Sequence, residues 1–346
     1  MTLVLLLAGF VLASAAVWLA GIRLSNATDV LTMRLGLGEA VGGAILLAIA
    51  TNLPEIAIVT TAAIGHDLGI ATGNILGGIA IQTVVLAVLD AFGSPDAPLT
   101  YRAASLQLVV EGGLVVALLA IVVDGTRLPP GAITLRLTVP AVLIFVIWVC
   151  GLWLLSRAQK GLPWHEHGNA PDGQEHPRGH RKKMVERSGP STRRAAITFG
   201  VAAAVTLAGG VALERLSESM STRIGLSGVL FGATVLAAAT SLPEVSTGLQ
   251  SLKLGDCQLA VSDIFGGNAF LPVLFLPATL ISGSAVLPQA HASDVYLTAL
   301  AILLTVVYMG GLLFRPKRQW GRLGPDSLAV VVLYALGIVG LAFVTQ

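Results

Sequence analysis

The feature that most constrains this chain is a series of apolar runs, each about long enough to cross a lipid bilayer. A spanning helix needs about 20 predominantly apolar residues. Ten runs recur, at 2–21, 37–64, 69–91, 103–123, 132–155, 195–214, 226–250, 257–281, 293–313 and 327–344. In hydrocarbon every backbone N–H and C=O must be paired inside its own segment, so such runs predict helices. The expected class is an all-α integral membrane protein with ten transmembrane helices. Composition agrees. Of 346 residues, 55% are hydrophobic and only 12% charged, about half the charged share of a soluble domain. A net charge of +2 gives no reason to expect nucleic acid as a partner; the expected surroundings are membrane lipid. The first run contains Ala13-Ser14-Ala15, which resembles a leader cleavage site. No basic residue precedes it, and the first is Arg23, so a retained first helix is expected.

The charges divide the chain. Residues 157–194 hold nine of the twenty-one Lys and Arg and four of the six His, with several Gly and Pro. They read as a flexible polar linker between two five-helix halves, 1–156 and 195–346. Placing this linker in the cytoplasm puts seventeen of the twenty-one basic residues inside. Only Arg127, Arg136, Arg215 and Arg223 fall outside. The positive-inside rule then sets the N- and C-termini outside a cell membrane. His165, His167, His176 and His180 are irregularly spaced, as in a solvated loop rather than a metal site. Cys150 and Cys257 show no ligand spacing and are expected to be small packing residues.

An internal repeat orders the two halves. At an offset of 189 residues, Gly43 falls on Gly232 and Ala48 on Ala237. Thr51, Leu53, Pro54 and Glu55 fall on Thr240, Leu242, Pro243 and Glu244, and Asp67 falls on Asp256. Asn74, Ile75, Gly77 and Gly78 fall on Asp263, Ile264, Gly266 and Gly267. The repeat segments run over 38–82 and 227–271. Five spans per half is an odd number, so the two copies are expected to have opposite orientations, as in many secondary transporters.

The repeated motif carries chemistry. An acidic side chain at the centre of a spanning helix costs about 2.5–3.5 kcal/mol even on mild insertion scales. It needs a proton, a cation or a basic partner, and neither motif helix core holds Lys or Arg. Two such acids on inverted copies would meet near the midplane, where one divalent or two monovalent cations would neutralise them. Thr51, Asn52 and Glu55 share a helix face, as do Thr240, Ser241 and Glu244. Pro54 cannot donate to the Ala50 carbonyl, nor Pro243 to that of Ala239, so each proline predicts a kink with exposed carbonyls. Mixed oxygen ligands suit hard cations, and Ca²⁺ takes 6–8 of them. The alternative is a pair of protonated, purely structural glutamates beside simple kinks. Asn74 and Gln82 in the third span, and Asp263 and Asn268 in the eighth, are candidates for an accessory ion or proton site. A helix-end role for Asp263 is equally open. Glu39 and Glu111 have no counterpart in the other half and are left out of the site. Asp124, Glu214, Glu218 and Asp294 read as loop or helix-end charges.

These residues resemble the calcium/cation antiporter superfamily, which includes the sodium/calcium exchangers. Gly232, Thr234, Ala237, Thr240, Ser241, Leu242, Pro243 and Glu244 follow its repeat pattern. Gly43, Ala48, Thr51, Asn52, Leu53, Pro54 and Glu55 follow it in the first half. The resemblance implies a core of spans two, three, seven and eight, with spans one and six sliding across it. It implies ion ligands at Thr51, Glu55, Thr240, Ser241 and Glu244, and at the carbonyls of Ala48 and Ala237. Asn52 stands where the family usually has Ser. The sequence departs from the family at Gly78, Ile79, Gln82, Gly267 and Leu271, where oxygen ligands change or are lost. The expected function is secondary antiport of Ca²⁺ for Na⁺ or H⁺ by alternating access. A sodium/proton antiporter and a non-transporting metal sensor are the alternatives. No enzyme motif or cofactor pattern is present, so inorganic cations enter as cargo.

Overall fold

The computed structural model describes residues 3–34, 49–93, 97–103, 105–129, 134, 136–158, 191–226, 228–253 and 255–344. They form α1 (Leu3–Arg34), α2 (Leu53–Gly65), α3 (Leu68–Gly93), α4 (Leu106–Gly125) and α5 (Val139–Ala158). After the linker come α6 (Thr192–Ile224), α7 (Gly228–Thr240), α8 (Leu242–Lys253), α9 (Cys257–Ser282), α10 (Ala292–Phe314) and α11 (Pro325–Val344). Among the described residues there is no strand beyond two isolated bridges, Thr134 with Leu137 and Trp320 with Leu323. Eight helices are long and apolar enough to cross a membrane, and the bent pair α7–α8 makes a ninth. The expected second span, 37–64, lies partly outside the described residues; its described part is one turn ending at Thr51, followed by α2.

Several boundaries move. The first and sixth spans were expected to end at 21 and 214, yet α1 runs to Arg34 and α6 to Ile224. Apolar runs measure what lipid covers, whereas a helix continues until the backbone stops it. No Gly or Pro interrupts 22–34 or 211–224, and α6 ends only at Gly225, in the left-handed region at φ 74. At 1.5 Å per residue, helices of 32 and 33 residues are about 48–50 Å long, well beyond a hydrocarbon core. The fourth span starts at Leu106 rather than 103, behind a short helix over Leu99–Ala103. The fifth starts at Val139 rather than 132, because Thr134 and Leu137 close a turn with Arg136 at φ 60. Most of the linker, 159–190, lies outside the described residues; at its end the Ser191 hydroxyl caps α6 by accepting from the Arg194 N–H at 3.3 Å.

Burial separates centre from rim. In α3 and α9, 72% of the most apolar stretch is buried, against 22% in α11 and 28% in α1. The two inner helices bury polar side chains that lipid would not accept, among them Asn74, Gln82 and Thr83 on α3 and Asn268 on α9, and α3 carries five glycines. Glycine lets α3 approach α7 backbone to backbone: a Cβ on Gly73 would lie 2.8 Å from the Val229 carbonyl oxygen, and one on Gly77 would overlap Ala233. Here α7 winds into a π-turn over Gly232–Leu236, a local widening often found at functional sites.

The long helices α1 and α6 pair antiparallel, in steps of about two turns. Gly9 meets Leu216, Val17 meets Gly209, Leu24 clusters with Ala202, and Leu31 with Ala195. The pair also crosses both Leu-Pro-Glu motifs. A Cβ on Gly21 would lie 2.7 Å from Pro243 Cγ, and one on Gly210 would lie 2.7 Å from Ala57 Cβ and 2.8 Å from the Pro54 oxygen.

Gly77→Val should lower the thermal midpoint of the detergent-solubilised protein, by about 3 kcal/mol of stability, because the added branches meet backbone. Gly113→Ala, with nothing within 4 Å of the added carbon, should leave the midpoint unchanged. Equal midpoints for the two variants would show that the α3–α7 approach is not tightly packed.

Candidate functional site

Each motif interrupts its helix at the residue before Leu-Pro-Glu. Asn52 is a turn residue with φ −92 and ψ 17, and Ser241 repeats it with φ −83 and ψ 1. The expected kink is present: α7 and α8 are bent by 40° across Ser241. The cause is local. Pro54 and Pro243 lack the N–H that would continue the ladder, so each helix stops and restarts one residue earlier.

The restart places the acids. Glu55 lies in the first turn of α2, and Glu244 in the first turn of α8. A helix start presents unpaired N–H groups and the positive end of the macrodipole, which favours a carboxylate. The turn just before ends a helix and presents carbonyls, which favour a cation. Each break therefore offers an anionic side chain and carbonyl oxygens around one point.

Tertiary packing then brings the two breaks together. Glu55 and Glu244 are both buried, and none of their four carboxylate oxygens has a hydrogen-bond partner among the described residues. Glu244 lies within the electrostatic reach of Glu55 and of Asp263. The Thr240 hydroxyl lies beside the Glu55 carboxylate, so a residue of the second motif faces the acid of the first. Two buried carboxylates that act on each other demand compensation, by protons or by positive charge.

The remaining candidates divide. Thr51 and Asn52 are buried at the first break, with Asn52 Nδ2 donating to Thr51 Oγ1 at 3.5 Å. Thr240 and Ser241 are buried at the second, both donating to the Ala237 carbonyl, at 3.2 and 2.8 Å. That carbonyl also accepts the Ser241 N–H at 3.0 Å. As an ion ligand it would have to exchange these donors for the ion. Ala48 lies outside the described residues, as does Glu39. Asn74 and Gln82 are buried on α3 without hydrogen-bond partners among the described residues. Asn268 donates to Thr83 Oγ1 at 3.3 Å. Asp263 sits in the body of α9 rather than at its end, and its Oδ2 accepts from Thr247 Oγ1 at 3.1 Å.

The departures at Gly78 and Gly267 have different fillings. A Cβ at Gly267 would lie 3.4 Å from both Asn52 Nδ2 and Gln82 Oε1, so two amides converge on the position. At Gly78 the nearest atom is Leu271 Cδ1, at 3.3 Å, and the space is apolar. Where Gly267 leaves room for amides, the site is uncharged and polar; at Gly78 it is greasy.

Glu214 is not a loop charge: it lies inside α6, one turn past Gly210, and is 4% exposed. Its helix continues past the apolar run, which is why the hydropathy boundary misplaced it. Asp124 and Asp294 do sit at helix ends, and Asp294 closes a capping box at the start of α10. Asp67 and Asp256, matched in the repeat, both accept a backbone N–H at a helix start, from Ile70 and Leu259. Glu111 accepts from Gln107 Nε2 at 3.0 Å. Cys257 is buried, whereas Cys150 is exposed on an outer helix, so only the first is a packing residue inside the protein. The contact of Trp18 Nε1 with Ser246 Oγ, which ties α1 to α8, carries no sequence signal.

Residues 5–156 and 194–343 match the sequence profile of the sodium/calcium exchanger protein family. The inner membrane protein YrbG of Escherichia coli (strain K12) is 26% identical over 302 residues, 87% of this chain and 86% of that protein. The putative antiporter CaxA of Alkalimonas amylolytica is 31% identical over 126 residues, 35% of this chain and 39% of that protein. In fold, the chain is similar to the sodium-calcium exchanger NCX_Mj, with a TM-score of 0.61 at 17% identity over 98% of this chain and 100% of that one. It is also similar to the H⁺/Ca²⁺ exchanger CAX, with a TM-score of 0.66 at 15% identity over 98% of this chain and 87% of that one. With both halves matched by one profile and the fold shared over nearly the whole chain, the protein belongs to the sodium/calcium exchanger protein family, and is a multi-pass membrane transporter rather than an enzyme.

Proposed function

We propose that this protein is a secondary active antiporter exchanging Ca²⁺ for Na⁺ or H⁺ by alternating access, with Glu55 and Glu244 as the shared charge of one midplane site. The observation that carries the reading is the pair of buried glutamates, one from each break, without hydrogen-bond partners for their carboxylate oxygens among the described residues and in electrostatic reach of each other. Two negative charges are balanced by one Ca²⁺, by two Na⁺ or by two protons, so loaded forms are neutral in all three cases. An empty site keeps uncompensated charge in a low dielectric, and that penalty holds the carrier until a new ion arrives. Thr51, Asn52, Thr240, Ser241 and the carbonyls of Ala48 and Ala237 complete the oxygen set. Asn74, Gln82, Asp263 and Asn268 flank it as an accessory ion or proton site.

The scaffold for this exchange is ten spans in two inverted five-helix repeats, 1–156 and 195–346, joined by the cytoplasmic linker 157–194. Support comes from the crossings of the long helices. Gly21 on Pro243 and Gly210 on Pro54 are separated by the same 189 residues as the motifs themselves. Each long helix thus contacts the break of the opposite half, so a slide of the α1–α6 pair bears on both breaks together. Both termini lie on the non-cytoplasmic face in this arrangement, in an inner membrane as in the name of the Escherichia coli relative.

A sodium/proton antiporter is favoured by one observation, the amide-filled position at Gly267, where a hydroxyl ligand is lost. Proteoliposomes separate the readings. Ca²⁺ uptake driven by an outward Na⁺ or H⁺ gradient is expected. Na⁺-driven proton movement with no Ca²⁺ flux selects the alternative.

Glu55→Gln and Glu244→Gln should each cut Ca²⁺ flux about 100-fold or more, since removing one charged partner of a buried cation–carboxylate pair costs about 3–5 kcal/mol. Wild-type flux in either variant would remove the site from the mechanism. For topology, Gly173→Cys in a background lacking Cys150 and Cys257 should resist a membrane-impermeant maleimide in intact cells and react after permeabilisation. Labelling of intact cells would reverse the orientation.

A further inference from the structure

A second buried pair of acids lies away from the motif, where the end of α3 meets the start of α11. Asp90 is held in place by two backbone donors: its Oδ1 accepts the Leu99 N–H at 2.6 Å and its Oδ2 the Gly324 N–H at 2.7 Å. Both bonds suit an ionised carboxylate. Asp326, in the first turn of α11, is 7% exposed, and neither of its oxygens has a hydrogen-bond partner among the described residues.

The two carboxylates reach the same point. A Cβ on Gly324 would lie 2.6 Å from Asp326 Oδ1 and 3.3 Å from Asp90 Oδ2. On the other side, a Cβ on Gly311 would lie 2.7 Å from Asp326 Cγ. Two glycines from different elements thus leave the hollow in which the Asp326 carboxylate sits. Thr100 is fully buried with its hydroxyl facing that carboxylate, and the hydroxyl makes no close hydrogen bond among the described residues. The nearby basic side chains are directed to Tyr101: Arg315 Nη2 donates to the Tyr101 carbonyl at 3.0 Å, and Lys317 Nζ lies 5.4 Å from its ring centre.

A buried carboxylate whose oxygens are not satisfied is destabilising. A hard cation would remove the cost and use every orphaned oxygen. We propose that Asp90, Asp326 and Thr100 form a second cation site, distinct from the glutamate pair and selective for a divalent ion of the Ca²⁺ class. Two acids balance its charge. Asp326 Oδ1 and Oδ2, the outer lone pair of Asp90 Oδ2 and Thr100 Oγ1 supply protein ligands, and water fills the rest of a coordination shell of 6–8. Occupancy ties α3, the Leu99–Ala103 segment, α10 and α11 into one unit, outside the path through the central site.

Calorimetric Ca²⁺ titration of the purified protein in lipid nanodiscs tests this. In the Glu55→Gln/Glu244→Gln variant one Ca²⁺ per chain should remain, and adding Asp326→Asn or Asp90→Asn should abolish it. If the glutamates bind no Ca²⁺, the wild type itself shows this single site, and Asp326→Asn still removes it, so the two proposals fail separately. Absence of the residual site, or unchanged affinity in Asp326→Asn, overturns the inference. So does a protonated-carboxyl infrared band that Ca²⁺ leaves in place and Asp326→Asn removes, which would mark a proton shared by the two acids. Should the Asn variants not fold, Thr100→Val should weaken Ca²⁺ about tenfold through loss of one ligand; unchanged affinity there also overturns it.

Discussion

The structure depends on the cost of burying carboxylates without partners. Glu55 and Glu244 are buried with no basic side chain acting on either among the described residues, and a charged group in that position is stabilised by helix ends, hydroxyls or bound ions. Proline supplies the first of these. By breaking each helix one residue before Leu-Pro-Glu, it sets a helix end and a helix start against each other at the break, as between α7 and α8. The carboxylate sits on the half with free N–H groups, and the other half turns its carbonyls inward. An unbroken helix would have spent both sets of groups on its own ladder.

The packing around the breaks follows from the same need. Two motifs 189 residues apart can share one site only if the inner helices approach closely, and glycine makes that possible. Gly73 and Gly77 bring α3 against α7, while Gly21 and Gly210 bring the long helices against the prolines. The outer helices carry a different burden. Their exposed Leu, Val, Ile and Phe side chains face lipid, where packing is loose and volume matters little. Sequence freedom therefore lies at the rim, and steric strictness at the breaks.

Buried acids outside the central site show how differently one residue type can be handled. Asp67 and Asp256 accept backbone N–H groups at helix starts and need nothing more. Asp90 accepts two N–H groups and joins segments far apart in sequence. Asp326 has no close hydrogen-bond partner among the described residues. Counting acids within apolar runs cannot separate these cases, because the partner that decides each one is a backbone group or a hydroxyl from another element.

The sequence by itself determined the helical class, most of the spans, the two breaks and the acids beside them. These are properties of neighbouring residues: an apolar run must hydrogen-bond internally, and proline cannot donate wherever it stands. Helix ends were less legible, as at Glu214, since hydropathy reports lipid contact while helices stop at glycine or proline. The pairing of Gly21 with Gly210 was present in the repeat offset but carried no meaning until each was seen against a proline. The convergence of Asn52 and Gln82 at Gly267, and of Asp90 and Asp326 beside Gly324, was decided only by the tertiary structure. Such meetings depend on how helices cross, and crossing is set by the summed packing of many side chains rather than by any local pattern.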